Sequence, residues 1–299
     1  MTGRVRVVAL CLGLAVLGAC VPWASGGERV LRVGAGAGVE QRILAELAVA
    51  ALGDAGIRAE AVETGGDTRA LRGAVAREEI DLYWDYTGAA WSLSLGQQVP
   101  EVDPVESFRR VEQEDRGSGL RWLGPSRANA TLALFVRAAD VAEPDRTLSW
   151  LAGRLSQSDP GPPLRLCADP AFVEREGGLP SLAAAYAIDE AVDVEPADED
   201  AAIRRVASGD CFAGLATATS GPARAAQLVP VADDLTVFPA FVVAPVVRQE
   251  TLDRVPGLEG ALAPALERLT TEDLAALNAL AGEEQADLAI LARAFLEAG

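Results

Sequence analysis

The sequence predicts an α/β chain of two similar lobes, each a doubly wound sheet flanked by helices, and three observations lead there. Strand-like runs alternate with stretches of helical period: Val30–Val33, a stripe of Ile43, Leu44, Leu47, Ala48, Ala51 and Leu52, then Ile57–Val62, Thr68–Glu78 and Ile80–Gly88. That is the βαβαβ rhythm of a parallel sheet. The rhythm returns after a Pro/Ser/Asp/Gly-rich passage at Pro144 to Pro163, as strand Leu164–Cys167, helix Leu182–Ile188, strand Val192–Val194, helix Asp198–Ala207 and strand Cys211–Ala216. The 299 residues, half of them hydrophobic, suffice for two modest cores.

Composition narrows the chemistry. The net charge of −18 argues against nucleic-acid or anionic-membrane binding. There is no histidine, and all 26 basic residues are arginines. A histidine-based triad, a histidine-ligated zinc site, a Schiff-base lysine and a P-loop lysine are therefore excluded. Neither a cofactor nor a metal site is expected.

The N-terminus reads as an export signal over residues 1–20. Arg4 and Arg6 form its positive region, Val7 to Val16 its apolar core, and Leu17-Gly18-Ala19-Cys20 a small-residue cleavage site. The last four resemble a bacterial lipobox, which implies a diacylglyceryl group on Cys20. Residues 21–28 are a spacer. Beyond the signal the remaining thiols are Cys167 and Cys211, both on predicted strands of the second half. Outside the cytoplasm such a pair can bond, but neighbouring strands need not bring them within range.

The first strand ends in Gly34-Ala35-Gly36-Ala37-Gly38, a tight turn into a helix whose free N–H groups could meet an anionic ligand end; the glycine spacing is wrong for a dinucleotide site. The third strand, Ile80-Asp81-Leu82-Tyr83-Trp84-Asp85-Tyr86-Thr87-Gly88, closes on aromatics and a turn. Alternate strand residues face opposite ways, so the three aromatics cannot all point inward, and the carboxyl end of such a strand is where ligands sit. Arg121–Leu123 and Thr131–Arg137 are further strands. Val229 to Val247 is rich in strand formers, and helices follow at Thr251–Val255, Leu258–Leu269, Thr271–Ala281 and Glu284–Leu296, with a helix start at Thr270-Thr271-Glu272-Asp273. Lobe I then comprises 29–135 and 238–299, and lobe II 136–237.

Over nearly all of the mature chain these blocks resemble the extracytoplasmic binding proteins for glycine betaine, choline and carnitine. The blocks are Val33-Gly34 with Glu40-Gln41 and Ile43-Leu44, the Tyr86-Thr87-Gly88 strand end, and Asn129-x-Thr131-x-Ala133-Leu134. They continue with Ala168-Asp169-Pro170-x-Phe172, Glu174-Arg175 and Gly178-Leu179-Pro180, and with Ala244 to Arg248. The resemblance implies the two-lobed, type II periplasmic-binding-protein fold. It also implies a cage of tyrosines that grips a quaternary ammonium by cation–π attraction. Position by position, Tyr86 matches a cage tyrosine, and Phe241 stands where another does. Leu132 and Thr217 occupy the remaining two. Arg175 matches the arginine that clamps the ligand carboxylate, while the family's first-loop lysine is Gly36 and the threonine after Tyr-Thr-Gly is Ala89. The expected ligand contacts are thus Tyr86, Trp84, Arg175, Phe241, Gly36, Thr217, Leu132 and Thr87. Either Trp84, Phe238 or Tyr83 rebuilds the aromatic wall, or the site has changed ligand.

The implied function is the solute-binding lipoprotein of an ABC importer, extracytoplasmic and held to the membrane by its lipid alone. It would close around a betaine-like, cationic or zwitterionic solute and deliver it to a permease and ATPase complex. The alternatives are the same fold with another ligand class, a ligand-sensing surface lipoprotein without transport, and an enzyme using Asp81 and Asp85. Spacing alone cannot make those two a catalytic pair.

Overall fold

The computed structural model describes residues 30–98, 100–142, 146–156, 164–175, 177–188, 192–283 and 286–298. The signal peptide, Cys20 and the 21–28 spacer lie outside them. Chain order begins β1 (Leu31–Ala35), α1 (Val39–Asp54), β2 (Ala59–Glu63), α2 (Thr68–Ala76) and β3 (Leu82–Tyr86). Next come a single turn α3 (Thr87–Ala89) running into a π-helical turn at Ala90–Ser94, then α4 (Pro104–Asp115) and β4 (Leu120–Trp122). The second unit holds β5 (Leu132–Arg137), α5 (Leu148–Leu155), β6 (Arg165–Ala168), α6 (Pro170–Glu174) and α7 (Leu179–Tyr186). It continues with β7 (Asp193–Pro196), α8 (Glu199–Ser208), β8 (Ala213–Thr217), α9 (Gly221–Ala225) and β9 (Leu228–Pro230). The chain ends with β10 (Val243–Arg248), α10 (Gln249–Arg254), α11 (Leu258–Arg268), α12 (Thr271–Ala281) and α13 (Leu288–Glu297).

Two five-stranded sheets result, ordered β2-β1-β3-β10-β4 and β7-β6-β8-β5-β9. Their plans match. In each, three parallel strands are followed by an antiparallel one: β10 beside β3, with Val243 opposite Tyr86, and β5 beside β8, with Leu132 opposite Thr217. The chain crosses between sheets twice, through Asn129–Thr131 and through Pro239–Phe241. The crossings are bonded to each other: Thr131 Oγ1 donates to the Pro239 carbonyl at 2.5 Å, and the Phe241 N–H to Asn129 Oδ1 at 2.7 Å. The boundary expected at residue 135 falls inside β5, all of which belongs to the second sheet. The switch of sheets occurs about four residues earlier, where the Thr131 carbonyl accepts the Ala218 N–H.

Each sheet buries apolar layers on both faces. Leu31, Val33, Leu82, Trp84, Val243 and Val247 pack against α1, α11 and α12 on one side of the first sheet; Tyr83, Trp122, Ala244 and Val246 pack against α2 and its neighbours on the other. In the second sheet Leu134, Leu166 and Leu215 pack with Phe172 and Phe238, and the opposite face holds Phe135, Cys167, Ile203 and Cys211. Cys167 and Cys211 form a disulfide, with Cα atoms 5.9 Å apart, tying β6 to the approach of β8. Thr270 and Asp273 make the reciprocal capping box expected at the head of α12. Among the described residues no helix is long and apolar enough to cross a membrane.

Candidate functional site

The third strand delivers Tyr86 half-buried at its carboxyl end, and the glycine-rich turn starts α1 so that Glu40 lies in its first turn. Tyr86 Oη donates to Glu40 Oε1 at 2.5 Å. Burial first, and then the Glu40 carboxylate, push the Tyr86 phenol well above its ordinary pKa, so the hydroxyl remains a donor. The other carboxylate oxygen, Glu40 Oε2, accepts from Asn278 Nδ2 at 2.5 Å. That same nitrogen donates to the Thr219 carbonyl of the second lobe at 2.8 Å. A chain of hydrogen bonds therefore runs Tyr86–Glu40–Asn278–Thr219 across the seam.

Around it are buried polar atoms without partners. Asn278 Oδ1 has no hydrogen-bond partner among the described residues, and the Gln41 amide, beside the Tyr86 phenol, is left largely unmatched, though both side chains are nine-tenths buried. Buried amides are seldom left so. Gly36 faces this group: a Cβ there would stand 3.0 Å from the Gly66 carbonyl and 3.3 Å from Gln41 Cγ. The Gln41 side chain thus occupies the space a longer residue at position 36 would enter. The Phe241 ring lies against Gly88, where an added Cβ would come within 2.7 Å of it. Since the Thr87 N–H pairs with the Val242 carbonyl, Phe241 flanks the turn that follows Tyr86. Leu132 and Thr217 are half-buried cross-strand neighbours on the second sheet. The Thr217 hydroxyl is engaged with Glu199 at 3.1 Å.

Two expected contacts do not reach the seam. Trp84 is fully buried in the layer under α1, because Tyr86 and Trp84 share a face but only the strand end is uncovered. Thr87 is also fully buried: its Oγ1 accepts from Ser107 Oγ at 2.7 Å and from the Val242 N–H at 3.1 Å, and donates to the Ala240 carbonyl at 3.3 Å. It anchors the second crossing. Tyr83 and Phe238 cannot rebuild an aromatic wall either. Tyr83 is buried with its hydroxyl on Asp85 at 2.9 Å, and Phe238 packs on Phe172 with ring centres 6.1 Å apart. Asp81 and Asp85 form no catalytic pair. Asp81 is fully buried beside Arg32, Arg248 and Arg254, while Asp85 accepts from Tyr83 and from the Tyr86 N–H.

Arg175 stands apart from this group. It is exposed at the end of α6, its guanidinium 5.9 Å from the centre of the Phe172 ring, and without a side-chain hydrogen bond or ion pair among the described residues. A surface groove of about 470 Å³ lies elsewhere, between β2 and α2 on the outer edge of the first lobe, lined by Thr64, Arg69, Arg77 and Glu79. Sequence reasoning missed Glu40, Asn278 and Thr219. An acid in a first helical turn is ordinary dipole complementation, and gave no warning. Asn278 carried a signal, being the one polar side chain on the buried stripe Leu274, Leu277, Asn278, Ala281.

Two sheets of one plan, joined by paired crossings and enclosing underused polar groups at their seam, define a two-lobed solute-binding protein. Residues 29–298 match the family described as the substrate binding domain of ABC-type glycine betaine transport systems, and the chain belongs to that family. It is 31% identical over 261 residues to a glycine-betaine-binding protein of Pseudomonas aeruginosa, covering 85% of this chain and 83% of that one. It is 30% identical over 240 residues to the glycine betaine-binding protein YehZ of Escherichia coli, covering 78% of each. The ligand-free structure of YehZ superposes with a TM-score of 0.78 over 90% of this chain and 98% of that one, at 28% identity. A permease and binding protein for ergothioneine from Helicobacter pylori is 25% identical over 238 residues, 78% of this chain and 41% of that protein. The chain is thus a substrate-binding protein, not an enzyme, and its family works outside the cytoplasm with an importer's permease and ATPase.

Proposed function

We propose that the solute is a small organic cation or betaine bound at the seam between 29–131 with 240–299 and 132–239, with Tyr86 and Phe241 as its aromatic contacts. The observation that carries this is the Tyr86–Glu40 pair. A π face and a carboxylate held together attract positive charge, and a quaternary ammonium needs no hydrogen-bond acceptor to be held there. Gly36, Leu132 and Thr217 would shape the rest of the pocket. Arg175, exposed on the other lobe and without a side-chain hydrogen bond or ion pair among the described residues, is available for a carboxylate once the lobes approach. Lipid attachment at Cys20 would tether the protein beside its permease.

The test is calorimetry with glycine betaine, choline, carnitine, ergothioneine and plain amino acids. The expected result is binding of a methylated ammonium compound that Glu40→Gln and Tyr86→Ala each weaken. Arg175→Ala should weaken glycine betaine and leave choline, which lacks a carboxylate, unchanged. Unaltered affinity in the Glu40 and Tyr86 variants would remove the seam as the site. One observation favours a broader ligand class: Leu132 and Thr217 replace aromatics with an aliphatic and a hydroxyl-bearing wall. In that case the panel should show a ligand that is not a methylated ammonium compound binding best.

A further inference from the structure

We propose that Asn278 is a positioning residue that ties the ligand-site carboxylate to the placement of the second lobe. The inference deepens the reading of Glu40 as a ligand contact and rests on it for its ligand-dependent half.

Two independent features meet at this point. The first is the shared donor. Asn278 Nδ2 faces two oxygens, Glu40 Oε2 at 2.5 Å and the Thr219 carbonyl at 2.8 Å, so the amide orientation is forced: turning it over would set its oxygen against both. Asn278 Oδ1 remains buried with no donor among the described residues, so the side chain is held in place by its nitrogen alone. Moving Thr219 away strips one of these bonds and loosens the grip on Glu40. The second feature is the seat of α9 on α12. Gly221 is buried against α12 so closely that a Cβ would lie 2.6 Å from the Asn278 carbonyl carbon and 2.7 Å from the Ala279 nitrogen, both backbone atoms that cannot swing aside. Thr219 and Ser220, immediately before it, are also buried. At Thr219 and Gly221 the second lobe therefore brings main chain against α12, the Thr219 carbonyl on the Asn278 side chain and Gly221 on the Asn278 backbone, at the residue that also holds Glu40.

A cation at Glu40 draws the carboxylate toward itself. The response passes through Asn278 to Thr219, and so to the bearing on which the lobes are set. Ligand occupancy and lobe angle become one equilibrium, as a receptor whose permease must sense its loaded form requires.

The experiment uses the mature chain with Asn278→Asp, Asn278→Ala and Gly221→Ala, each first checked for a native circular dichroism spectrum. Small-angle scattering without ligand reads lobe placement alone. The expected result is that Gly221→Ala wedges the contact and raises the radius of gyration. Asn278→Asp, equal in size but without the donor, should do the same and should recover toward wild type on acidification, when its carboxyl regains a proton to donate. If Asn278→Asp and Gly221→Ala scatter like wild type at neutral pH, the proposal is overturned, whatever the ligand proves to be. With the solute identified by calorimetry, Asn278→Ala should speed its dissociation about tenfold, the effect of losing one or two hydrogen bonds. An unchanged rate would equally overturn the coupling. Failure of every solute to bind would count against the seam as ligand site and leave the scattering result to decide the bearing.

Discussion

Tyr86 and Glu40, 46 positions apart in sequence, are joined by a 2.5 Å hydrogen bond from the phenol to a carboxylate oxygen. The bond fastens the end of β3 to the first turn of α1 and sets an aromatic face beside a negative charge. Replacing Tyr86 by Phe keeps the ring and removes the donor; replacing it by Ala removes both. The Phe variant should bind cationic solute a fewfold more weakly and the Ala variant at least about tenfold more weakly, since a cation–π contact away from water is worth about 2 kcal/mol. Calorimetry on the pair separates ring from hydroxyl.

Trp84 should behave as a core residue despite lying two positions before Tyr86. Trp84→Ala is expected to destabilise the protein by about 3–5 kcal/mol. In urea titrations the midpoint should fall, while affinity measured well below the transition stays within about twofold of wild type.

Thr87→Val keeps the shape but leaves the Val242 N–H and Ser107 hydroxyl without their shared acceptor. Each stranded buried group costs about 1–3 kcal/mol. For the two groups together the expected loss is about 2–6 kcal/mol of stability, read by thermal or denaturant unfolding.

Asp85 makes stability depend on pH. Burial first raises its pKa, only partly offset by the Tyr86 N–H, the Tyr83 hydroxyl and the Arg72 charge, and it reaches about 7 against 3.8 in the unfolded chain. The folded state therefore holds the proton more tightly. Stability from this group is greatest below about pH 4, falls as pH rises toward 7, and is flat above. A difference of about three pH units corresponds to about 4 kcal/mol. Asp85→Asn should remove that fall, so that wild type minus variant, measured by urea unfolding at pH 5 and pH 8.5, becomes less favourable to wild type at the higher pH.

The Cys167–Cys211 bond closes a loop of 44 residues, for which chain entropy predicts a stabilisation on the order of 4 kcal/mol. Cys211→Ala, or reduction of the wild type, should lower the unfolding free energy of the second lobe by about that amount, seen as an earlier unfolding midpoint. The first lobe's transition should move much less.

What the sequence by itself determined was the duplicated βαβ plan, the return of the chain to the first lobe and the helix start at Thr270. All of these follow from local periodicity, caps and turns, in which a residue's neighbours in sequence are also its neighbours in space. It left α4 unseen, because Val105, Phe108 and Val111 form a thin apolar stripe among charges, although Asp103 and Pro104 marked its beginning. It also could not say which of Tyr83, Trp84 and Tyr86 would be uncovered, since strand alternation assigns faces while helices packed from elsewhere decide which face is dry. Only the tertiary structure could set Glu40 against Tyr86 and Asn278 against both Glu40 and Thr219. Those contacts span 46, 238 and 59 positions, and no local preference encodes a hydrogen bond whose two ends are brought together by the packing of separate helices on separate sheets.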